Sequence, residues 1–332
     1  MIWRDNIQFI YKRKHKKLKI ACILDEFTYR CFEPECDLLQ ITPENWLKEM
    51  EQFEPDFLFV ESAWGGGNNK WGGKLITAYD EIGEIARYCS IKALPIVFWN
   101  KEDPFGYSAF IDMARLADVV LTTDGGCVEA YKKDLGHTNV YFMHFAAQPK
   151  MFCGHEEVER QDKFCFAGAY YRQFPERIRA FDQMFSVLNK YKGVDIYDRF
   201  YGNKKREFPK KYQNNVIGTL PFDEIHKAYC GYRYNINVNS IVHSETMFAR
   251  RVFELMATKT IVVSNYSKGL SNYFGDLTIC TDDTVEMIDR LREIDQSEQS
   301  YQDFVEKCYN RVMKQELYQH RLEQICNILY VR

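Results

Sequence analysis

What this 332-residue chain lacks already removes several classes of function. No apolar run approaches the ~20 residues needed to span a bilayer, which excludes an integral helical membrane protein. Neither sign of charge is in excess. Lys and Arg number 44 against 47 Asp and Glu, so no global field favours nucleic acid, and an anionic ligand would need a local patch. Eleven cysteines occur without a C-x-x-C pair, which argues against zinc. Their odd number, with no recognisable secretory leader, sets the expectation of reduced thiols in the cytoplasm. No G-x-G-x-x-G opens a helix, so a dinucleotide site is a weak reading. No D-x-D stands at a strand end, so no catalytic metal is expected, with the pair Asp282 and Asp283 left open. Internal repeats and low-complexity segments are also missing.

What is present is a length suited to two α/β domains and an alternation of apolar runs with helical periods, the pattern of parallel sheets covered by helices. The first series is KIACILD (Lys19 to Asp25), DFLFVES (Asp56 to Ser62), LPIVFWN (Leu94 to Asn100), DVVLTTD (Asp118 to Asp124) and VYFMHFA (Val140 to Ala146). Pro149, Gly154 and the charged run HEEVERQD then break the rhythm as a linker would. A second series runs through Phe164 to Gly168, Val194 to Phe200, Tyr234 to Val238 and Thr260 to Ser264. The expected organisation is a basic lead-in over 1–18, a Rossmann-like domain over 19–150 and a linker over 151–162. A second Rossmann-like domain over 163–300 and a C-terminal helix over 301–332 follow, the latter, with its amphipathic stretch Phe304 to Leu329, able to pack back on the first domain. Two such halves give the double-lobed α/β architecture called GT-B, whose ligands bind in a central cleft faced by the carboxyl ends of both sheets. The lead-in holds six Lys or Arg between Tyr11 and Ile20, preceded by Ile2, Trp3, Ile7, Phe9 and Ile10. That combination suits either peripheral contact with anionic lipid or a solvated arm.

The richest stretch is SETMFARRVFELMATKTIVVSNYSKGL, Ser244 to Leu270, read as loop, helix and buried strand. Ser244 or Thr246 would cap the helix, whose first N–H groups then form an anion site, with Arg250 and Arg251 adding charge. Glu254 follows Arg250 at i+4, where a carboxylate can accept hydrogen bonds from both hydroxyls of a ribose. The alternative is an ordinary i,i+4 ion pair contributing about 0.3 kcal/mol.

Other candidates fall at predicted strand ends. FAGAYYRQFPER, Phe166 to Arg177, offers Gly168 for close ligand approach, then Tyr170, Arg172 and Arg177, with Arg172 chosen for a diphosphate contact. ESAWGGGNNKWGGK, Glu61 to Lys74, has five glycines in fourteen residues. Gly65 and Gly66 would form a mobile lid, and Trp64 and Trp71 would stack on acceptor sugar rings, unless the stretch is only a surface loop. FWNKEDP places Lys101, Glu102 and Asp103 beyond a buried strand. Either carboxylate could deprotonate an acceptor hydroxyl while Lys101 neutralises phosphate charge, or the three could compensate one another at a turn. Asp124 reads best as a helix cap.

S-x-T-M-x-x-x-R-V-F-E-L-M-A, followed by a valine-rich strand, resembles the C-terminal signature of CgeB-type glycosyltransferases, known beside teichoic-acid and surface-polysaccharide transferases. ESAW, FWNKEDP, LTTD and HFAAQP stand in that family's order. The likeness covers roughly residues 18–280 and implies an acceptor domain over 19–150 and a nucleotide-sugar domain over 163–300. The resemblance implies transfer of a sugar from a nucleoside-diphosphate sugar, UDP-linked by family habit, to a glycan or similar hydroxyl acceptor. It also implies retention of configuration, no cofactor besides the donor substrate, and Gly168, Tyr170, Arg172, Ser244, Thr246, Arg250, Arg251 and Glu254 around the donor. One departure concerns the E-x7-E motif of retaining enzymes. Thr246 stands eight places before Glu254, and Glu245 stands nine before it. A sugar-nucleotide epimerase of the same architecture and a non-catalytic polysaccharide-binding or spore-surface protein remain rivals.

Overall fold

The computed structural model describes residues 17–77, 80–152 and 159–330, and no helix among them is long and apolar enough to cross a membrane. The apolar residues and most of the basic run assigned to an anionic lipid surface lie outside the described residues, as does the middle of the expected linker, 153–158. The chain divides into two compact units: one reaches Phe145 and resumes at Tyr318, the other spans Ala146–Leu317.

The first unit holds six strands: β1 (Lys19–Ile23), β2 (Asp37–Gln40), β3 (Phe57–Glu61), β4 (Ile96–Asn100), β5 (Val119–Thr122) and β6 (Val140–Phe142). They form a parallel sheet in the order β2-β1-β3-β4-β5-β6. Every residue of β3 and β4 is buried, so FLFVE and IVFWN read as unbroken apolar runs, as strands covered on both faces must. Phe59 stacks on Trp99 at 6.4 Å on one side, while Phe98 and Phe110 pack on the other within the cluster of Ile23, Val60, Trp71 and Ile85. The closing helix Tyr318–Tyr330 belongs to this unit. Tyr318 meets Phe32 edge-on at 5.0 Å, and buried Arg321 donates to the carbonyls of His144 and Phe145. The amphipathic stretch Phe304 to Leu329, expected to be one helix, is two: Glu298–Gln315 ends where buried Glu316 accepts from Tyr273 and Arg311 while its carbonyl takes the Ala147 N–H.

The second unit repeats the plan with β7 (Gln161–Gly168), β8 (Val194–Asp198), β9 (Val216–Gly218), β10 (Tyr232–Asn237), β11 (Ile261–Ser264) and β12 (Ile279–Cys280), all parallel in the order β12-β11-β10-β7-β8-β9. Its core joins Phe164, Phe166, Ile196, Ile236 and Val263 to Phe181, Leu188 and Leu291 from the covering helices.

This strand order fixes where ligands go. In the first sheet the chain steps from β1 outward to β2 and then returns to the far side of β1 as β3; in the second it steps from β7 through β8 to β9 and returns beside β7 as β10. Where direction reverses, the covering helices diverge and leave a crevice beyond the carboxyl ends of the two strands. The groups expected to do chemistry are therefore those after β1 and β3 in one unit, and after β7 and β10 in the other.

Candidate active site

Beyond β1 and β3 in the first unit stand Asp25 and Glu61, bridged by Lys101 from the end of β4. The ammonium lies 3.2 Å from Asp25 Oδ2 and 3.1 Å from Glu61 Oε1. Glu61 is fully buried and also accepts from the Asp25 N–H and the Thr28 hydroxyl. Burial works against the charge on Lys101, but Glu61 and Asp25 outweigh it and hold the ammonium above its ordinary pKa. Burial likewise raises Asp25, yet Lys101 and the Gly66 and Gly65 N–H groups win, so this half-exposed carboxyl sits below the usual range. At Glu61 burial prevails and leaves the group above its ordinary value, Lys101 opposing. The result is an ionised carboxylate, Asp25, presented at the crevice and fixed from behind by a buried pair. Sequence reading quoted both strings, KIACILD and ESAW, without assigning a role to either acid; their position at the strand reversal was the missing signal.

Lys101 is therefore committed to two carboxylates rather than free to meet phosphate. Asp103, expected as an acceptor-facing base, is fully buried. It accepts from Asn100 Nδ2 at 2.8 Å, Thr122 Oγ1 at 2.6 Å and the Tyr131 hydroxyl at 3.3 Å, an interior network joining the ends of β4 and β5. Burial pushes its carboxyl up to about 7 against the Thr122 and Tyr131 hydrogen bonds. Because that value exceeds the ordinary 3.8, the stability contributed by protonating Asp103 is fully present below about pH 4 and is lost as pH rises toward 7. Chemical unfolding of Asp103→Asn should accordingly decline less over pH 4 to 7 than that of the parent protein; parallel curves would refute the assignment. Glu102 is half-exposed, with its N–H on Asn100 Oδ1, and Asp124 caps the next turn by accepting from the Gly126 N–H.

The glycine-rich stretch is tied down rather than free. Trp71, expected to stack on an acceptor, is fully buried and donates its indole N–H to the Ile41 carbonyl at 2.9 Å, so it is a core residue. Gly66 has φ +54°, and a Cβ there would meet Trp71 at 2.9 Å; its N–H donates to Asp25 Oδ1. The Gly67 N–H in turn reaches the Leu24 carbonyl. Trp64 is 52% exposed and leans edge-on against Phe110, leaving one aromatic face open.

In the second unit the reversal lies between Gly168, ending β7, and Asn237, ending β10. Arg177 enters from the first turn of the helix Pro175–Tyr191 and donates to the Val238 carbonyl, with Ser240 Oγ at 3.5 Å. Arg251 stands at the start of the helix Arg251–Ala257, its guanidinium 5.5 Å from the Phe166 ring, where a Cβ on Gly168 would meet Nη2 at 3.2 Å. Gly168 is thus the gap that admits Arg251. Neither arginine has a carboxylate partner among the described residues. Burial, and after it the nearby Arg251 charge, lower Arg177 to about 10. Arg172, chosen from sequence for the diphosphate, is an exposed residue donating to the Glu207 carbonyl at 3.0 Å. Tyr170 turns into the aromatic cluster of Phe181, Phe208 and Tyr212.

The expected helix from Ser244 or Thr246 begins instead at Arg251 and runs only to Ala257, so neither residue caps it. Ser244 Oγ accepts from the Thr246 and Met247 N–H groups, and Asn239 Oδ1 from Ala249 N–H. The backbone of 246–247 also lies against Gly269, where no Cβ would fit. Those side-chain bonds satisfy donors that a helix would otherwise use. Glu254, read as the ribose carboxylate, is buried beside the Tyr229 hydroxyl with Arg250 Nη1 at 3.5 Å, and its Oε1 accepts no hydrogen bond among the described residues. Glu245 pairs with Lys268 and Asn272 on the surface. Asn239 joins Asn237 on Ser264 Oγ, tying the loop after β10 to the end of β11.

With this geometry in hand, residues 172–327, just under half of the chain, match a family model described as glycosyl transferase-like. No curated protein matches the sequence. Among solved structures, a UDP-forming α,α-trehalose-phosphate synthase from Burkholderia vietnamiensis aligns with TM-score 0.53 and 9% identity over 93% of this chain and 78% of its own. TarM aligns with TM-score 0.55 and 12% identity over 85% of this chain and 57% of that one. An S. aureus TarM variant in complex with fondaparinux, α-GlcNAc-glycerol and UDP aligns at 0.50 and 12% over 85% and 58%. The chain therefore spans less than two thirds of TarM, and these likenesses establish the GT-B fold.

Proposed function

We propose that this glycosyltransferase of GT-B architecture moves a sugar from a nucleoside-diphosphate sugar, UDP-linked, to a hydroxyl of a surface-type glycan or similar acceptor. The supporting observation is the pair Arg177 and Arg251, two cations without a carboxylate partner at the strand reversal of the second unit. The developing negative charge on the leaving diphosphate is the main electrostatic obstacle to breaking the glycosidic bond. Fixed guanidinium groups oppose it without needing to reorganise, and their forked donors match phosphate oxygens. The UDP-forming and UDP-bound likenesses favour uridine as the base. At the first unit, Asp25 is the ionised carboxylate best placed to accept an acceptor hydroxyl's hydrogen bond, with Trp64 offering an apolar face to a sugar ring.

Retention of configuration and independence from metal belong to the same proposal. Incubated with a panel of nucleotide sugars and glycan acceptors, the protein should release one nucleoside diphosphate in step with acceptor glycosylation. Excess chelator should leave that rate within about twofold; a larger loss restored by Mg²⁺ or Mn²⁺ would overturn metal independence. A second reading, a binding protein without turnover, is favoured by Thr246 at the place eight before Glu254 and by the pairing of Glu245 with Lys268 on the surface, which leave the first glutamate of the paired motif without a counterpart. Nucleotide binding with no product from any acceptor would decide for it.

A further inference from the structure

A second concentration of charge lies beside the donor arginines. Between residues 199 and 210 there are five basic residues and one acidic one, in a chain whose overall net charge is −3. Arg199, Lys204, Lys205, Arg206 and Lys210 are all exposed, and none has a carboxylate partner among the described residues. Lys211, just beyond, is already neutralised by Asp182.

The loop is built. Buried Asp198, ending β8, accepts from the Phe200 N–H with one oxygen and from the Phe208 N–H with the other, both at 2.9 Å, pinning the start and finish of the excursion. Phe208 plugs into the aromatic core. The tip turns at Gly202, φ +83°, and closes with the Arg206 and Glu207 N–H groups on the Asn203 carbonyl. Arg206 lies 3.5 Å from the Phe200 ring centroid, and Tyr201 stands 58% exposed beside it.

Its position is fixed by register. Gly168 of β7 pairs with Asp198 of β8, and the Arg199 N–H donates to the Gly168 carbonyl at 2.9 Å. The loop therefore departs from the very glycine that admits Arg251. Arg172 ties it back through the Glu207 carbonyl, and Arg199 Nη1 reaches the Tyr171 hydroxyl, whose ring lies under Arg177. A continuous ribbon of guanidinium and ammonium groups, interleaved with aromatic rings, runs outward from the donor site.

We propose that this loop is a binding surface for an anionic glycan, a polymer whose sugars or polyols carry phosphodiester or carboxylate groups, and that it holds such an acceptor beside the bound donor. Unpaired cations on an ordered backbone attract a polyanion without a large loss of conformational freedom, and the exposed aromatic faces suit sugar rings. The word acceptor rests on the transferase reading above; the binding surface does not.

The test compares the parent protein with the variant Lys204→Gln/Lys205→Gln/Arg206→Gln. The control is Lys48→Gln/Lys92→Gln/Lys133→Gln, which removes the same charge from exposed sites on the other unit. Binding of poly(glycerol phosphate), oligogalacturonate, neutral dextran, single-stranded DNA and phosphatidylserine vesicles is measured by calorimetry and co-sedimentation at several salt concentrations. Expected are binding of the two anionic glycans over dextran and at least tenfold weaker binding in the loop variant, with the control within twofold. The slope of log affinity against log salt should also become shallower by about 2 in the loop variant. UDP affinity and thermal midpoint should match the parent in both variants. The proposal is overturned if the loop variant binds the anionic glycans as well as the parent, or if only DNA or only vesicles bind. Absent UDP binding alongside loop-dependent glycan binding would count against the donor assignment and leave this surface standing.

Discussion

Arg251→Ala should weaken binding of UDP by about 10- to 100-fold, because each charge-assisted contact to a phosphate contributes on the order of 1.5–3 kcal/mol and tenfold corresponds to about 1.4 kcal/mol. Calorimetry on the isolated protein measures it directly. The substitution leaves little structural damage to confuse the result, since the Arg251 guanidinium overlies Phe166 without an ion-pair partner. Arg251→Lys should fall between, keeping charge but losing the planar fork. Arg177→Ala should cost a comparable factor, and the double variant should bind UDP too weakly to detect at millimolar ligand. Arg172→Ala should change UDP affinity by less than about twofold, because its side chain is spent on the Glu207 carbonyl. The reverse ranking, with Arg172 dominant and Arg251 silent, would move the diphosphate off the strand reversal and sink the proposed donor site.

That ranking also separates what sequence conveys from what it does not. The central strands were legible because β3 and β4 are covered on both faces and had to be apolar throughout. The short outer strands β2, β9 and β12 were not, since DLLQ is only half-buried and β12 has two residues. The GT-B class followed from two series of alternating elements, but strand order did not, and order is what places the crevice. Arg172 and Arg177 sit five residues apart in one string; only the helix beginning at Pro175 decides that the second points to the end of β10. Ser244 and Thr246 carry real capping chemistry, spent on a turn held by Asn239 and Gly269, partners distant in sequence. Trp71 looked like a ring for sugars because tryptophan near glycine fits a lid equally well as a core plug. Burial decides between those uses, and burial is a property of the whole fold.

Lys101→Met should be the most damaging single change in the first unit, lowering stability by about 3–5 kcal/mol in chemical unfolding. It leaves Glu61 fully buried without its cation, and Asp25 without the charge that holds it ionised. The loss has a pH signature. Without Lys101, burial of Glu61 is opposed only by the Thr28 hydroxyl and the Asp25 N–H, and it lifts the carboxyl further above the ordinary 4.5. The folded value then exceeds the unfolded one, so stability is retained below about pH 4.5 and falls as pH rises, making the variant's deficit smaller at pH 5 than at pH 8. Adding Glu61→Gln should recover much of the deficit, because an uncharged amide removes the stranded ion. Activity adds the deciding contrast. If Lys101 acts on phosphate, the single variant keeps its stability and loses turnover. If it is the buried prop of Asp25, stability falls first, and the recovered double variant keeps its affinity for UDP while its KM for acceptor rises.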